Sequence, residues 1–159
     1  RRRQPVGRGA EDRQGGQGVI VALLLKVKPE SLNDGVAIVP RMKSAALTAE
    51  DTGAVVYVWL GNHPQKGALN AVASLTGFEE ITVAQERDPT KKQHAYRLTL
   101  APSAAQLVQP LGARDLGSAD FVEGADGIES LGRIYRDRND KIIRLTGAEA
   151  AVLAERFRH

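Results

Sequence analysis

Residues 51–77, DTGAVVYVWLGNHPQKGALNAVASLTG, decide which kind of fold the chain adopts. The part AVVYVWL is filled by β-branched and aromatic residues, which favour a strand. Side chains alternate between the two faces of a strand, so one face carries aliphatic residues and the other carries the rings. The first set is Val56, Val58 and Leu60, and the second set is Val55, Tyr57 and Trp59. The chain's one tryptophan therefore precedes a polar loop that begins at Gly61.

The segment that follows this loop, ALNAVASLTGFEEITVA, is ambiguous between helix and strand. Its alanines favour a helix. Leu69, Ala71, Ala73 and Leu75 also alternate with polar residues, which is typical of a strand with one buried face. Because Gly67 and Gly77 bracket a piece of strand length, we predict a strand here.

Several shorter elements complete the prediction. We expect strands at residues 19–28, ended by Pro29, at 36–40 and at KIIRL. A further pair is expected around a charged hairpin loop at Asp88 and Pro89, with one strand at ITVA before the loop and one at 95–100 after it. A short helix is expected within RMKSAALTAEDTG. A second helix is expected over TGAEAAVLAERF, where Thr146 and Glu149 form a capping box and Ala148, Ala151 and Val152 form the apolar face. These elements predict an α+β domain built on a small, mixed or antiparallel β-barrel with short flanking helices.

Charge and composition separate a tail from a domain. Residues 1–18 hold five arginines and two acids, which equals the whole chain's net charge of +3, so residues 19–159 are balanced. We interpret residues 1–18 as a flexible Arg/Gly-rich tail or linker, with a phosphate-contacting arm as the alternative.

The chain has no cysteine, which excludes disulfides. The longest apolar run, VIVALLL, is too short to span a bilayer and no secretory leader precedes it, so we expect a cytoplasmic protein without membrane partners.

The order of motifs resembles the EVE domain of the PUA-like superfamily. The similarity runs from about residue 20 to 157 and is carried by LLLKVKPESL, VPRMKSAALTAEDTG, TGAVVYVWLGNH, KGALNAVASLTG and IIRLTGAEAAVLAERF. Two positions depart from the family pattern: Ala22 and Leu23 replace an aromatic pair, and Gly53-Ala54 replaces Gly-Asp. The resemblance implies a reader of nucleic acid, DNA in preference to RNA, that holds a flipped base of the 5-methylcytosine type. Some EVE-type proteins are fused to nucleases that restrict modified DNA, which implies a nuclease or ATPase as an associated module.

A base taken out of a duplex needs a ring to stack on, polar groups for its edge and cations for the flanking phosphates. We expect the base to contact Trp59, Tyr57, Asn62, His63 and Arg41. We expect the phosphates to contact Lys43, Arg87, Lys91 and Lys92. The alternatives are that both rings pack in the core and that the polar residues are ordinary solvated loop residues.

Two other functions stay open. A small enzyme would use His63 with one of four loop carboxylates, Asp115, Asp120, Glu123 and Asp126. A protein-interaction or regulatory module of a larger polypeptide would instead expose an apolar patch. No helical metal-binding spacing, nucleophile elbow, Walker motif or dinucleotide fingerprint occurs, so we predict no catalytic residue, no metal and no cofactor.

Overall fold

The computed structural model describes residues 22–61, 67–112, 115, 131, 134 and 138–159. The predicted tail at 1–18 lies outside these residues. The described strands are β1 (Ala22–Val27), β2 (Leu32–Asn33), β3 (Val36–Pro40), β4 (Val55–Leu60), β5 (Ala68–Ala84), β6 (Lys92–Pro102), β7 (Gln106–Leu107), β8 (Lys141–Arg144) and β9 (Phe157–Arg158). An α-helix, α1, spans Gly147–Ala154. The fold is thus mostly β and is consistent with the predicted α+β class.

Seven strands form one mixed sheet in the order β2-β3-β6-β5-β4-β1-β8. β1 and β4 are parallel, and the other neighbours are antiparallel. The sheet does not close. The segment after β3 nevertheless reaches β8, because the Ala45 amide donates to the Ile142 carbonyl at 2.8 Å and the Ile142 amide donates to Ser44 Oγ at 3.1 Å. The sheet therefore curls until its two ends are bridged by this loop.

The alternation predicted for β4 is confirmed. Val56 and Val58 belong to a core cluster that includes Val39 of β3 and Ile142 of β8, so the curled sheet surrounds it. We call this cluster the inner core. Tyr57 and Trp59 point to the opposite face and belong to a second cluster, the outer core. The outer core lies beneath α1 and the β7–β9 pair, and its buried members are Ala22, Leu24, Tyr57, Trp59, Leu69, Leu111, Leu131, Leu153 and Phe157.

The ambiguous alanine-rich segment is a strand, as predicted. β5 runs for 17 residues and continues through Gly77, which was expected to end it. Pairing with β6 is the reason, because the ladder extends from Ala73–Pro102 to Ala84–Lys92 with a single irregularity between Leu75 and Gly77. Long-range pairing therefore overrides the helix preference of alanine at this position.

Two helix predictions need correction. Residues 41–53 form a tight turn and a 3-10 helix, Ala49–Asp51, in place of an α-helix, because this segment bonds to β8 instead of to itself. At the C-terminus, the Thr146–Glu149 capping box is confirmed. The helix ends at Ala154, since Phe157–Arg158 pairs with β7. Its apolar face was predicted correctly at Val152, which packs against the outer core, and wrongly at Ala148 and Ala151, which are exposed; Leu153 is fully buried instead.

Among the described residues, no helix has both the length and the apolar character required to cross a membrane.

Candidate nucleic-acid interface

The pairing of β3 with β6 brings separate groups of predicted phosphate contacts to one end of the sheet. Pro40 lies opposite Ala95, and the Arg41 amide donates to the His94 carbonyl at 2.9 Å. Lys92 begins β6 two residues before His94. The turn that carries Arg41 and Lys43 therefore lies beside the β5–β6 hairpin tip. That tip carries Arg87, Lys91 and Lys92.

The hairpin tip has a defined geometry. The Gln85 amide donates to the Lys91 carbonyl and the Lys91 amide donates to the Asp88 carbonyl, both at 2.9 Å. The Asp88 carboxylate accepts from the Thr90 amide at 3.1 Å and from the Thr90 hydroxyl at 2.6 Å. The Asp88 carboxylate therefore stabilises the turn at the hairpin tip through these local hydrogen bonds.

The clustered cations are available to an external anion. Lys43, Arg87, Lys91 and Lys92 are exposed, and none of them forms an ion pair within the described part of the chain. Arg41 is half-buried, and its side-chain contacts are with groups other than carboxylates. It donates to the Ser44 carbonyl at 3.2 Å, and its guanidinium lies 5.1 Å from the centroid of the Tyr96 ring. By contrast, Arg97 of β6, the residue after Tyr96, forms an ion pair with Glu79. Five cations at one end of the sheet thus produce a field that no neighbouring carboxylate cancels by direct pairing.

A small polar hollow adjoins these cations. It has a volume of about 170 Å³ and lies between the hairpin and the β1–β2 connection. Its lining residues are Lys28, Ser31, Ile38, Pro40, Val83, Ala84, Glu86, Gln93 and Asp140. Pro40 directly precedes Arg41, and Glu86 directly precedes Arg87, so the hollow opens next to the cluster.

Charged side chains organise one wall of the hollow. Lys28 Nζ donates to Glu86 Oε2 at 2.7 Å, and this bond is the main cause that raises the pKa of the Lys28 ammonium. Asp140 accepts from the Lys28 amide at 3.2 Å and from the Ser31 hydroxyl at 3.0 Å. The hollow therefore offers an ammonium group and two carboxylates, together with the Gln93 amide, within a small space.

The two predicted stacking rings lie elsewhere. Trp59 is 1% exposed and Tyr57 is 8% exposed, and both pack in the outer core. The Tyr57 ring lies 5.9 Å from the Phe157 ring, and burial raises the pKa of the Tyr57 phenol. A Cβ at Gly67 would collide with the indole and would lie 2.6 Å from the Gly61 carbonyl oxygen, so main chain covers the ring closely. The expectation that the indole lies at the mouth of a cleft is contradicted by this burial, which argues against direct stacking on Trp59.

Asn62 and His63 lie outside the described residues, so their predicted contact with a base stays a prediction. The same holds for the enzyme alternative, since Asp120, Glu123 and Asp126 also lie outside. Asp115 is described, and it accepts a hydrogen bond from the Gly112 amide at 2.7 Å. Within the described chain, no group of three or more His, Cys, Asp or Glu side chains is placed to hold a metal ion.

Sequence reasoning missed the residues of the hollow. Lys28, Gln93 and Asp140 come from three distant segments, and no local pattern indicates that they meet. Strand pairing explains how these residues meet. Lys26 of β1 lies opposite Lys141 of β8, and this pairing brings Asp140 close to Lys28. The one available signal was the position of Lys28 directly after a strand and before Pro29.

A second hollow, of about 350 Å³, lies at the other end of β6. It is lined mainly by apolar and small residues, including Leu32, Val58, Val72, Leu100 and Pro102. β6 ends at Pro102, ten residues from Lys92, so this hollow is about 33 Å along the strand from the cation cluster. It is therefore separate from the interface.

Comparisons of the chain with protein-family models, with curated proteins and with solved structures gave no match in any of the three. Functional inference for this chain therefore rests on its own residues and geometry.

Proposed function

We propose that the chain is a nucleic-acid-binding domain of PUA/EVE-like architecture that reads a modified base of the 5-methylcytosine type in DNA. We further propose that it serves as the recognition module of a modification-dependent restriction system. The observation that carries the binding proposal is the group of five cations at one end of the sheet that form no ion pair with any described residue. The curled sheet, whose ends are bridged through Ser44 and Ala45, supports a barrel of the PUA/EVE kind.

The cations act on the nucleic-acid backbone. Lys43, Arg87, Lys91 and Lys92 are exposed on two adjacent turns and carry flexible, solvated charges that suit phosphate oxygens. Each phosphate that they neutralise releases condensed counterions from the duplex, which makes the affinity dependent on salt. These contacts position the domain without selecting a sequence.

The polar hollow supplies the base contact. Its volume of about 170 Å³ is below the range of about 300–1,000 Å³ that is common for ligand pockets, which restricts the occupant to a small flat group such as one base. Lys28 and Gln93 provide donors for the base edge, while Glu86 and Asp140 provide acceptors. In this proposal Arg41, whose guanidinium covers Tyr96, takes over the stacking role first assigned to Trp59, because guanidinium planes also stack on bases.

The phosphate part is tested with matched double variants. Lys91→Ala/Lys92→Ala should reduce the slope of log K against log salt by about 1.8, since each duplex phosphate contact contributes about 0.9. The control, Arg97→Ala/Arg158→Ala, removes the same charge from a paired cation and from a cation at the β9 end, and should leave the slope unchanged. Fluorescence anisotropy over a salt series measures both. Equal slopes for the two variants would show that net charge alone drives binding.

The base part is tested with matched duplexes and single strands that contain cytosine, 5-methylcytosine or 5-hydroxymethylcytosine. We expect tighter binding to one modified duplex than to its unmodified counterpart. Gln93→Leu should abolish that preference while the salt slope stays the same, because the amide reads the base and not the phosphate. If the wild-type protein binds all strands alike, the proposal for a modified base fails, although the phosphate interface stands.

A further inference from the structure

The turn between β3 and the Ala45 bridge presents an exposed methionine. Met42, the chain's one methionine, is 75% exposed. Large apolar side chains that are exposed in the described residues number three: Ile38, Met42 and Val108. Met42 is the most exposed of them and stands between Arg41 and Lys43, inside the cation cluster. Met42 therefore places an apolar side chain between two cations on an exposed turn.

The turn is held firmly at its base. The Ser44 amide donates to the Arg41 carbonyl at 3.1 Å, which closes a four-residue turn. Ser44 Oγ donates to the Pro40 carbonyl at 2.8 Å and accepts from the Ile142 amide at 3.1 Å. Arg41 is bound to the His94 carbonyl through its amide and lies over Tyr96 through its guanidinium. Residues 41 and 44 are therefore fixed, and residues 42 and 43 form a rigid tip.

The backbone of this tip has an uncommon conformation. Lys43 has a φ of 76°, whereas Met42 has no positive φ, which corresponds to a type II turn with lysine at the position that usually requires glycine. A non-glycine residue in this region strains the backbone, and such residues are concentrated at functional sites. The conformation keeps a cation at Lys43 where glycine would be the more stable choice.

We propose that Met42 is a wedge that inserts between stacked bases of the bound duplex, beside the position from which the read base is extruded. This inference rests on the proposed function. Unbranched apolar side chains such as methionine are among those that DNA-bending proteins insert into base steps. Lys43 holds a phosphate beside the step while Arg41 stacks on the extruded base, so the apolar side chain enters the stack and the charges stay at its edge. The fixed ends of the turn prevent the tip from folding back when it meets the stack.

The test uses duplexes that carry 2-aminopurine next to the modified cytosine, because this analogue becomes brighter when it is unstacked. The full chain should increase its fluorescence on binding. Met42→Ala should lose most of that increase and should weaken binding by about tenfold. Met42→Leu, which keeps a long apolar side chain, should retain both. Val108→Ala, which shortens an exposed apolar residue near β7, is the matched control and should behave like the wild type.

The outcomes separate the wedge from the proposed function. If the wild type binds no duplex, the proposed function fails and the wedge fails with it. If the wild type binds but Met42→Ala gives the same fluorescence increase and the same affinity, the wedge is refuted while the proposed function stands. Since Met42 is largely exposed, all of these variants should keep the wild-type melting temperature, and circular dichroism confirms that they are folded.

Discussion

Replacing Trp59 with alanine is expected to lower the free energy of unfolding by about 3–5 kcal/mol, the usual range when a large buried ring is removed from a core. The indole is 1% exposed and belongs to the outer core, so its loss leaves a cavity between the sheet and the elements that cover it. Urea denaturation followed by far-ultraviolet circular dichroism measures the change. Ile38→Ala is the control. Because this side chain is 37% exposed, its truncation should lower the free energy of unfolding far less.

The same residue offers a direct test against a stacking role. Because the chain has one tryptophan, its fluorescence reports on one site. We expect blue-shifted emission that acrylamide quenches weakly and that added nucleic acid leaves unchanged. Strong quenching by a modified duplex would instead show that the indole reaches a base, and it would return Trp59 to the base-binding site.

Asp51→Ala is expected to destabilise the fold by about 2–3 kcal/mol, which is the range for losing hydrogen bonds to a charged group. The carboxylate is 1% exposed. Its two oxygens accept hydrogen bonds from the two terminal guanidinium nitrogens of Arg144 in β8, with 2.8 Å between Nη2 and Oδ2. It also accepts from the Thr48 amide at 2.7 Å, which caps the 3-10 helix. Arg144 donates in addition to the Ala46 carbonyl at 2.7 Å, so the pair ties the loop after β3 to the opposite end of the sheet.

The contribution of Asp51 should disappear in acid. Burial alone would raise the pKa of this carboxyl, but the hydrogen bonds from Arg144 and Thr48 outweigh burial and hold the pKa below its ordinary value of 3.8. The folded state therefore binds fewer protons than the unfolded state around pH 4, and stability falls as the pH falls through the lowered pKa. The free energies of unfolding of the wild type and of Asp51→Asn, measured by denaturation, should differ most above pH 5 and converge in stronger acid. Glu50→Gln, an exposed neighbour, should match the wild type throughout.

Local patterns predicted those elements whose determinants are local. β4 follows from an unbroken β-branched and aromatic run, and the Thr146 cap follows from side chains three residues apart. Residues 41–53 were misread because their helix-favouring composition carries no trace of the bonds from Ser44 and Ala45 to Ile142. Those bonds join residues about a hundred positions apart, which composition does not encode.

The predicted site was recovered unevenly for the same reason. Four of the five clustered cations were predicted as phosphate contacts and the fifth, Arg41, as a base contact, and β3–β6 pairing explains why they meet. Trp59 was assigned to a cleft because alternation defines two faces of a strand but does not say whether both are covered. Here both faces of β4 are covered, one by the inner core and the other by the outer core. The polar hollow depends on tertiary pairing, and its one signal in the sequence was the position of Lys28 between β1 and Pro29.

The length of the β5–β6 hairpin has a consequence for motion. β4 accompanies β5 only as far as Ser74, and β3 accompanies β6 only down to Ala95. Beyond these points, residues 82–84 and 92–94 form a two-stranded ribbon that carries the cationic tip, and such ribbons twist more and are less stable alone than wider sheets. Its amide hydrogens should exchange with deuterated solvent well before those of β4. This ribbon is tied to the rest of the fold by the bond from the Arg41 amide to the His94 carbonyl and by the Lys28–Glu86 ion pair. A ribbon held at these two points can twist to follow the curvature of a bent duplex while the wider sheet keeps its shape.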